Sequence, residues 1–183
     1  MILVDFETTD LTNHSEDPSL QPGIVQVGLI EIDEMWNEVE AHTFLVNPEM
    51  AVSPGAFKTH GLSEEKLREE PTLAALLPRL AQIFRRHDTW VGFNNEFDRT
   101  VLWYQLLRYN WARRFPWPSR DLDIMKIARD IINVAGKQDI KHPNLTELHT
   151  KLFGEGFAAA HDAMADCRAT LRCGQELSRR GYV

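Results

Sequence analysis

MILVDFETTD (Met1–Asp10) opens the chain, and the way these ten residues are read decides the fold. Met1 to Val4 are apolar and read as a buried strand that runs straight into Asp5 and Glu7. Side chains two apart on a strand share a face, so both carboxylates stand together just past the hydrophobic run, their Cβ atoms about 6.6 Å apart. At an effective dielectric near 20 the pair repels by roughly 2 kcal/mol. A strand ending in water escapes most of that cost, but Val4 and Phe6 on either side argue against full exposure. A divalent cation between the carboxylates reverses the sign, because hard cations such as Mg²⁺ take carboxylate oxygen together with water and substrate phosphate.

Outward from this stretch, Leu11–Gly23 is polar with two prolines and reads as a loop. Ile24–Ile32 (IVQVGLIEI) is β-branched and partly alternating, a strand, and His42–Val46 is a shorter one. Asn47–Glu65 reads as a loop, with a one-sided cap at Ser63 because Lys66 stands where Glu would complete the box. Thr72–Arg86 has helical spacing, Thr89–Phe93 is a strand, and Asn95–Tyr109 is an amphipathic helix broken by FPWPSR (Phe115–Arg120). Asp123 caps a helix expected to reach about Val134. Leu145–Phe153 and Ala163–Arg180 are the last two, each followed by glycine. Consecutive strands joined by short links pair antiparallel and helical crossovers give parallel pairing, so the expected architecture is a mixed sheet flanked by helices.

At 183 residues one domain, 1–183, is expected, large enough to bury a core without staples. Cys167 and Cys173 are six apart on a helix and point in different directions, which fits free thiols and a reducing cytoplasm. The N-terminal apolar run is too short for a signal peptide, and no apolar stretch approaches the roughly 18 residues of a membrane span. The net charge of −7 is unlike that of a general nucleic-acid coating protein. It is uneven: residues 1–84 carry 4 basic and 15 acidic side chains (−11), residues 85–183 carry 16 and 12 (+4). A basic half that meets a phosphate backbone, with acids awaiting cations, accounts for this as well as an unevenly charged solvated surface does.

Two further stretches carry chemistry-bearing residues. In WVGFNNEFD a strand delivers its end to Asn94 and Asn95, and Asp98 lies in the first turn of the next helix, where the dipole also favours an acid. In AAHDAMAD, Asp162 is the N-cap and Asp166 lies in the following turn. His161 and Asp166 would diverge by about 140° on one continuous helix, so they converge only if His161 precedes it.

In order and spacing, DFETT (Asp5–Thr9), NNEFD (Asn94–Asp98) and HDAMAD (His161–Asp166) resemble the three motifs of the DEDD exonucleases of the histidine subtype, on an RNase H-like fold. FKTHGLS (Phe57–Ser63) and DIMKIAR (Asp123–Arg129) look like the segments between them, and the resemblance runs from Asp5 to about Leu177. Phe93 departs from the pattern, since many members have His before the Asn. The resemblance implies a mixed five-stranded sheet and two Mg²⁺ or Mn²⁺ ions held by Asp5, Glu7, Asp98 and Asp166. His161 would be the general base, a role suited to imidazole because it titrates near neutrality. Thr8 and Thr9 would meet the terminal sugar, Phe57, His60 and Leu62 the last base, and Asn94 the phosphate. Core packing accounts for Phe57 and Leu62 nearly as well, while Asp10, Asp121 and Asp139 are read as turn or cap residues and His14, His42, His87, His142 and His149 as surface.

The expected activity is 3′→5′ removal of nucleoside 5′-monophosphates from single-stranded or frayed 3′ ends, DNA before RNA. The alternatives are an exoribonuclease, an inactive module docked on a polymerase, or a small-molecule or structure-specific phosphoesterase. Replication or repair proteins are the expected partners, and either a monomer or a homodimer fits. The end of the chain at Val183 leaves no long tether, so a stand-alone enzyme is expected.

Overall fold

A computed structural model describes residues 1–132 and 142–183, with Asp130 by its backbone alone. Its sheet has five strands: β1 (Ile2–Thr8), β2 (Ile24–Ile32), β3 (Glu38–Leu45), β4 (Thr89–Gly92) and β5 (Arg120–Asp123). Their order is β3-β2-β1-β4-β5. The first three are antiparallel neighbours, and β4 and β5 run parallel to β1, as short links and helical crossovers require. The helices are α1 (Pro54–His60), α2 (Glu64–Leu67), α3 (Leu73–Phe84), α4 (Asn95–Arg108), α5 (Ile124–Ile132), α6 (Leu145–Phe153) and α7 (Ala163–Arg179).

The period of two along β1 divides the core. Ile2, Val4 and Phe6 pack with Leu77, Leu80 and Phe84 of α3 and with Leu102 and Leu106 of α4. Leu3 packs on the other face, with Ala128 of α5, Leu148 of α6 and Cys167, Leu171 and Leu177 of α7. Each fully buried Leu, Ile or Phe contributes about 1.5–3 kcal/mol. The two layers together outweigh the roughly 2 kcal/mol repulsion of a carboxylate pair. Asp5 and Glu7 share Leu3's face and therefore point toward α7. Both cysteines are free and buried. No described helix is long and apolar enough to cross a membrane.

Several elements differ from expectation. Arg120–Asp123, whose first residue reads as part of a break, is the fifth strand, pairing with Thr89–Gly92, and Asp123 at its end caps α5 as expected, accepting from the Met125 N–H at 3.0 Å. Asp121 lies within β5 rather than in a turn. Strand β3 begins at Glu38, because pairing with β2 recruits Glu38, Val39 and Glu40, all of them exposed. The segment read as a loop holds α1, capped by Ser53 and stopped at Gly61 in the left-handed region, and the single turn α2. His42 and His149 are buried, not surface: His42 Nε2 meets Glu31 Oε1 at 2.8 Å, and His149 Nδ1 donates to the Glu155 carbonyl at 2.7 Å. His87 is half-buried on the other Glu31 oxygen. The expected end of α5 near Val134 and Asp139 lie outside the described residues.

Candidate active site

Parallel pairing of β1 with β4 is recorded only at Ile2 and Leu3, after which β4 turns off into α4. The edge of β1 vacated by β4 is not left open. The Phe6 N–H donates to Asp98 Oδ1 at 2.9 Å, so a carboxylate from the first turn of α4 takes the place of a strand carbonyl. On the other side, Asp5 pairs with Gly28 of β2. An ideal Cβ on Gly28 would stand 2.6 Å from the Ala163 carbonyl oxygen, so the strand glycine lets the start of α7 lie directly on the sheet.

Gln26, opposite Glu7, fastens that contact. Its amide donates to Asp162 Oδ2 at 2.9 Å and accepts from the Ala163 N–H at 3.2 Å. Asp162 in turn caps α7 through the Ala165 N–H. His161 thus stands before the helix, at φ 70°, and its backbone N–H donates to Asp166 Oδ2 at 3.1 Å. Ligand-type atoms of Glu7, His161 and Asp166 lie within 4.8 Å of one another.

This crowding sets the electrostatics. Burial, then the charges of Asp98, Asp166 and Glu7, push the Asp5 carboxyl well above the usual carboxylate range. Burial also raises Asp98, against the pull of the Phe6 N–H. Glu7 is raised to about 7 by burial and by Asp166 and Asp162. Asp166 reaches about 6 through burial, with His161 opposing. Asp166 Oδ1 is buried without a hydrogen-bond partner. A buried carboxylate oxygen with no donor, set among three other carboxyls, suits a hard divalent cation.

A cleft of about 450 Å³ opens beside this cluster, lined by Glu7, Thr8, Asp10, His60, Phe97 and His161 among others. Thr8 Oγ donates to the Asp10 carbonyl at 2.7 Å. His60 Nε2 donates to the Thr8 carbonyl at 3.1 Å and its Nδ1 accepts from the Leu62 N–H at 3.0 Å, which fixes the tautomer and ties α1 to the end of β1. Phe57 is exposed on α1. Asn94, at φ 68°, has a side chain free of any capping bond and a backbone N–H held by Asp123 Oδ1. Two residues expected to meet substrate are occupied elsewhere. Thr9 is buried, its hydroxyl accepting from the Gly23 N–H at 2.9 Å. Leu62, 5% exposed, packs with Val25 and Leu67 and offers no face to the cleft.

Residues 2–173 match the Exonuclease (RNase_T) family. The chain belongs to that family. It is 23% identical over 169 residues to a PolC-type DNA polymerase III from Caldanaerobacter subterraneus, covering 92% of this chain and 11% of the relative. It is 28% identical over 131 residues to the epsilon subunit of DNA polymerase III from Rickettsia prowazekii, covering 71% and 55%. Among solved structures, the zinc-bound E. coli exonuclease I complex with single-stranded DNA superimposes with a TM-score of 0.78 at 22% identity. That alignment covers 98% of this chain and 40% of the other, and it shows the shared fold. The chain thus spans well under two thirds of the length of these proteins.

Two positions of the candidate site had no signal of their own in the sequence. Gln26 and Gly28 sit mid-strand, where a polar and a small residue read as ordinary alternation, and only the arrival of α7 gives them a role. Phe97 is part of the NNEFD stretch, but its exposure to the cleft depends on how α4 leaves β4.

Proposed function

We propose that this chain is a divalent-metal-dependent 3′→5′ exonuclease of the histidine subtype, releasing nucleoside 5′-monophosphates from single-stranded or frayed DNA. The observation that carries this reading is the partnerless, buried Asp166 Oδ1 beside Asp5, Glu7 and Asp98. Like-charged groups this close are held together at a cost that only cations or protons relieve. Asp5, Glu7, Asp98 and Asp166 would hold two Mg²⁺ or Mn²⁺ ions. Such ions, when bound, make a nucleophile available at neutral pH and stabilise the departing 3′-oxygen.

His161 takes the proton of the attacking water at a ring nitrogen. Its backbone bond to Asp166 keeps the imidazole beside the acids while the left-handed φ keeps it out of the helix. Thr8 borders the cleft where the terminal sugar would lie, and Phe57 offers an exposed ring for the last base. Asn94 has an uncommitted amide for the phosphate, and His60 positions Thr8 through its carbonyl. Stacking on a ring reads no sequence, which favours single strands and frayed ends. The relative named as a DNA polymerase III epsilon subunit supports DNA as substrate and replication proteins as partners.

The test is a 5′-labelled single-stranded oligonucleotide incubated with Mg²⁺. The product ladder should shorten one nucleotide at a time, and EDTA or Asp166→Ala should abolish it. Digestion that persists in Asp166→Ala would falsify the assignment.

A further inference from the structure

On α4, a second, open groove of about 440 Å³ lies between Arg99, Thr100, Trp103 and Tyr104 on one side and Trp117 on the other. Trp103 is 44% exposed, on a helix that buries Val101, Leu102 and Leu106. Its ring centroid is 6.5 Å from that of Trp117, which stacks at 6.0 Å on the buried Trp90. The aromatic surface is therefore anchored in the core and ends in solvent.

One cation lines it and two more lie in the turn that leads to Trp117. The Arg99 guanidinium lies over Trp90 and Trp117, 5.3 and 5.2 Å from the ring centroids. Its Nη1 is 3.6 Å from Asp121 Oδ1 and is buried without a hydrogen-bond partner. Trp117 is reached from α4 through a turn in which Arg113 and Arg114 are both exposed, and among the described residues neither guanidinium forms an ion pair. A protein partner would also use exposed tryptophan and arginine. The unpaired Arg113 and Arg114, in the turn that leads to a stacking platform, match a polyanion with π-faces better.

We propose that this groove is a second contact for single-stranded nucleic acid, outside the catalytic cleft. The strand's backbone meets Arg99, Arg113 and Arg114, and a base stacks on Trp103. Phe97 lines the cleft and Arg99 the groove, two residues and about 200° apart around α4, so the helix itself stands between the two sites. Its use during digestion rests on the exonuclease reading of the acid cluster; the contact itself does not. In that setting the groove holds the strand upstream of the terminus being removed, which lengthens the site beyond the last nucleotides.

The test is anisotropy of a labelled oligothymidylate of about twenty nucleotides, titrated in EDTA so that no turnover occurs. Trp103→Ala should weaken binding about fivefold or more, the loss of one stacked base. Arg113→Ala/Arg114→Ala should lower the salt dependence of log K by about 1.4 in slope, two phosphate contacts on a single strand. Both variants should cleave a trinucleotide in Mg²⁺ as the unaltered protein does, because so short a strand does not reach the groove. Unchanged affinity and salt slope in both variants overturn the proposal. Strand binding that depends on Trp103 in a protein without nuclease activity keeps the groove and removes the exonuclease reading. Active enzyme whose long-strand affinity ignores these residues does the reverse.

Discussion

Gly28 and Ala163 touch backbone to backbone: an ideal Cβ on the glycine would stand 2.6 Å from the alanine carbonyl oxygen. Gly28 is also the partner of Asp5 across the β1–β2 ladder, and Ala163 begins the helix that carries Asp166. The spacing between two acidic ligands of the proposed site is therefore set by the absence of one methyl group.

Gly28→Ala should push the start of α7 off the sheet. Overpacking of this kind costs about 1–3 kcal/mol. Displacing Asp166 by on the order of 1 Å should reduce nuclease turnover by about a hundredfold. Thermal melting together with turnover on a single strand checks this. A variant as stable and active as the parent would mean that α7 can shift without consequence for the acids.

The acid cluster makes the pH dependence of metal stabilisation specific in sign. Folded Glu7 titrates at about 7 and folded Asp166 at about 6, both above their ordinary values of 4.5 and 3.8. Between those values the folded protein retains protons that the unfolded chain has released, so stability without metal falls as pH rises from about 4 to about 7. Metal competes with these protons. The rise in melting temperature on adding Mn²⁺ should therefore be larger near pH 8 than near pH 6, by several degrees at saturating metal. Equal shifts at both pH values, or none, would contradict a site made of these carboxylates.

Glu31 gives the opposite trend at the other end of the sheet. Burial raises its carboxyl, but hydrogen bonds from Arg86, His42 and His87 outweigh burial and bring it to about 2 from 4.5. A depressed carboxylate stabilises the fold above its unfolded value, and that contribution is lost as pH falls from about 4.5 toward 2. Glu31→Gln should flatten this acid limb and destabilise the protein by about 1–3 kcal/mol at neutral pH, since three donors lose a charged acceptor. Urea titrations at several pH values measure both effects. An acid limb unchanged in the variant would assign the dependence to other carboxylates.

Local chemistry wrote much of this structure into the sequence. β1, β2, α3, α4, α6 and α7 follow from apolar period and capping residues, and Asp162 caps α7 as its position predicts. The placement of His161 ahead of the helix was a geometric demand of the five-residue spacing, and φ 70° meets it. What the sequence alone determined was which short-range patterns bury a face and which carboxylates lie next to one another along a strand, because those depend on neighbours in the chain. Tertiary structure alone decided the rest. RDLD became β5 because β4 offers it a parallel edge, and the charged start of β3 was recruited by β2. His42 and His149 are buried because Glu31 and the Glu155 carbonyl, each supplied by a different element, satisfy them there. Leu62 and Thr9 turned inward because Leu67 and Gly23 were waiting. In each case the deciding partner is remote in the chain or belongs to another element, and its hydrogen bond or buried surface exists only once the chain has closed on itself.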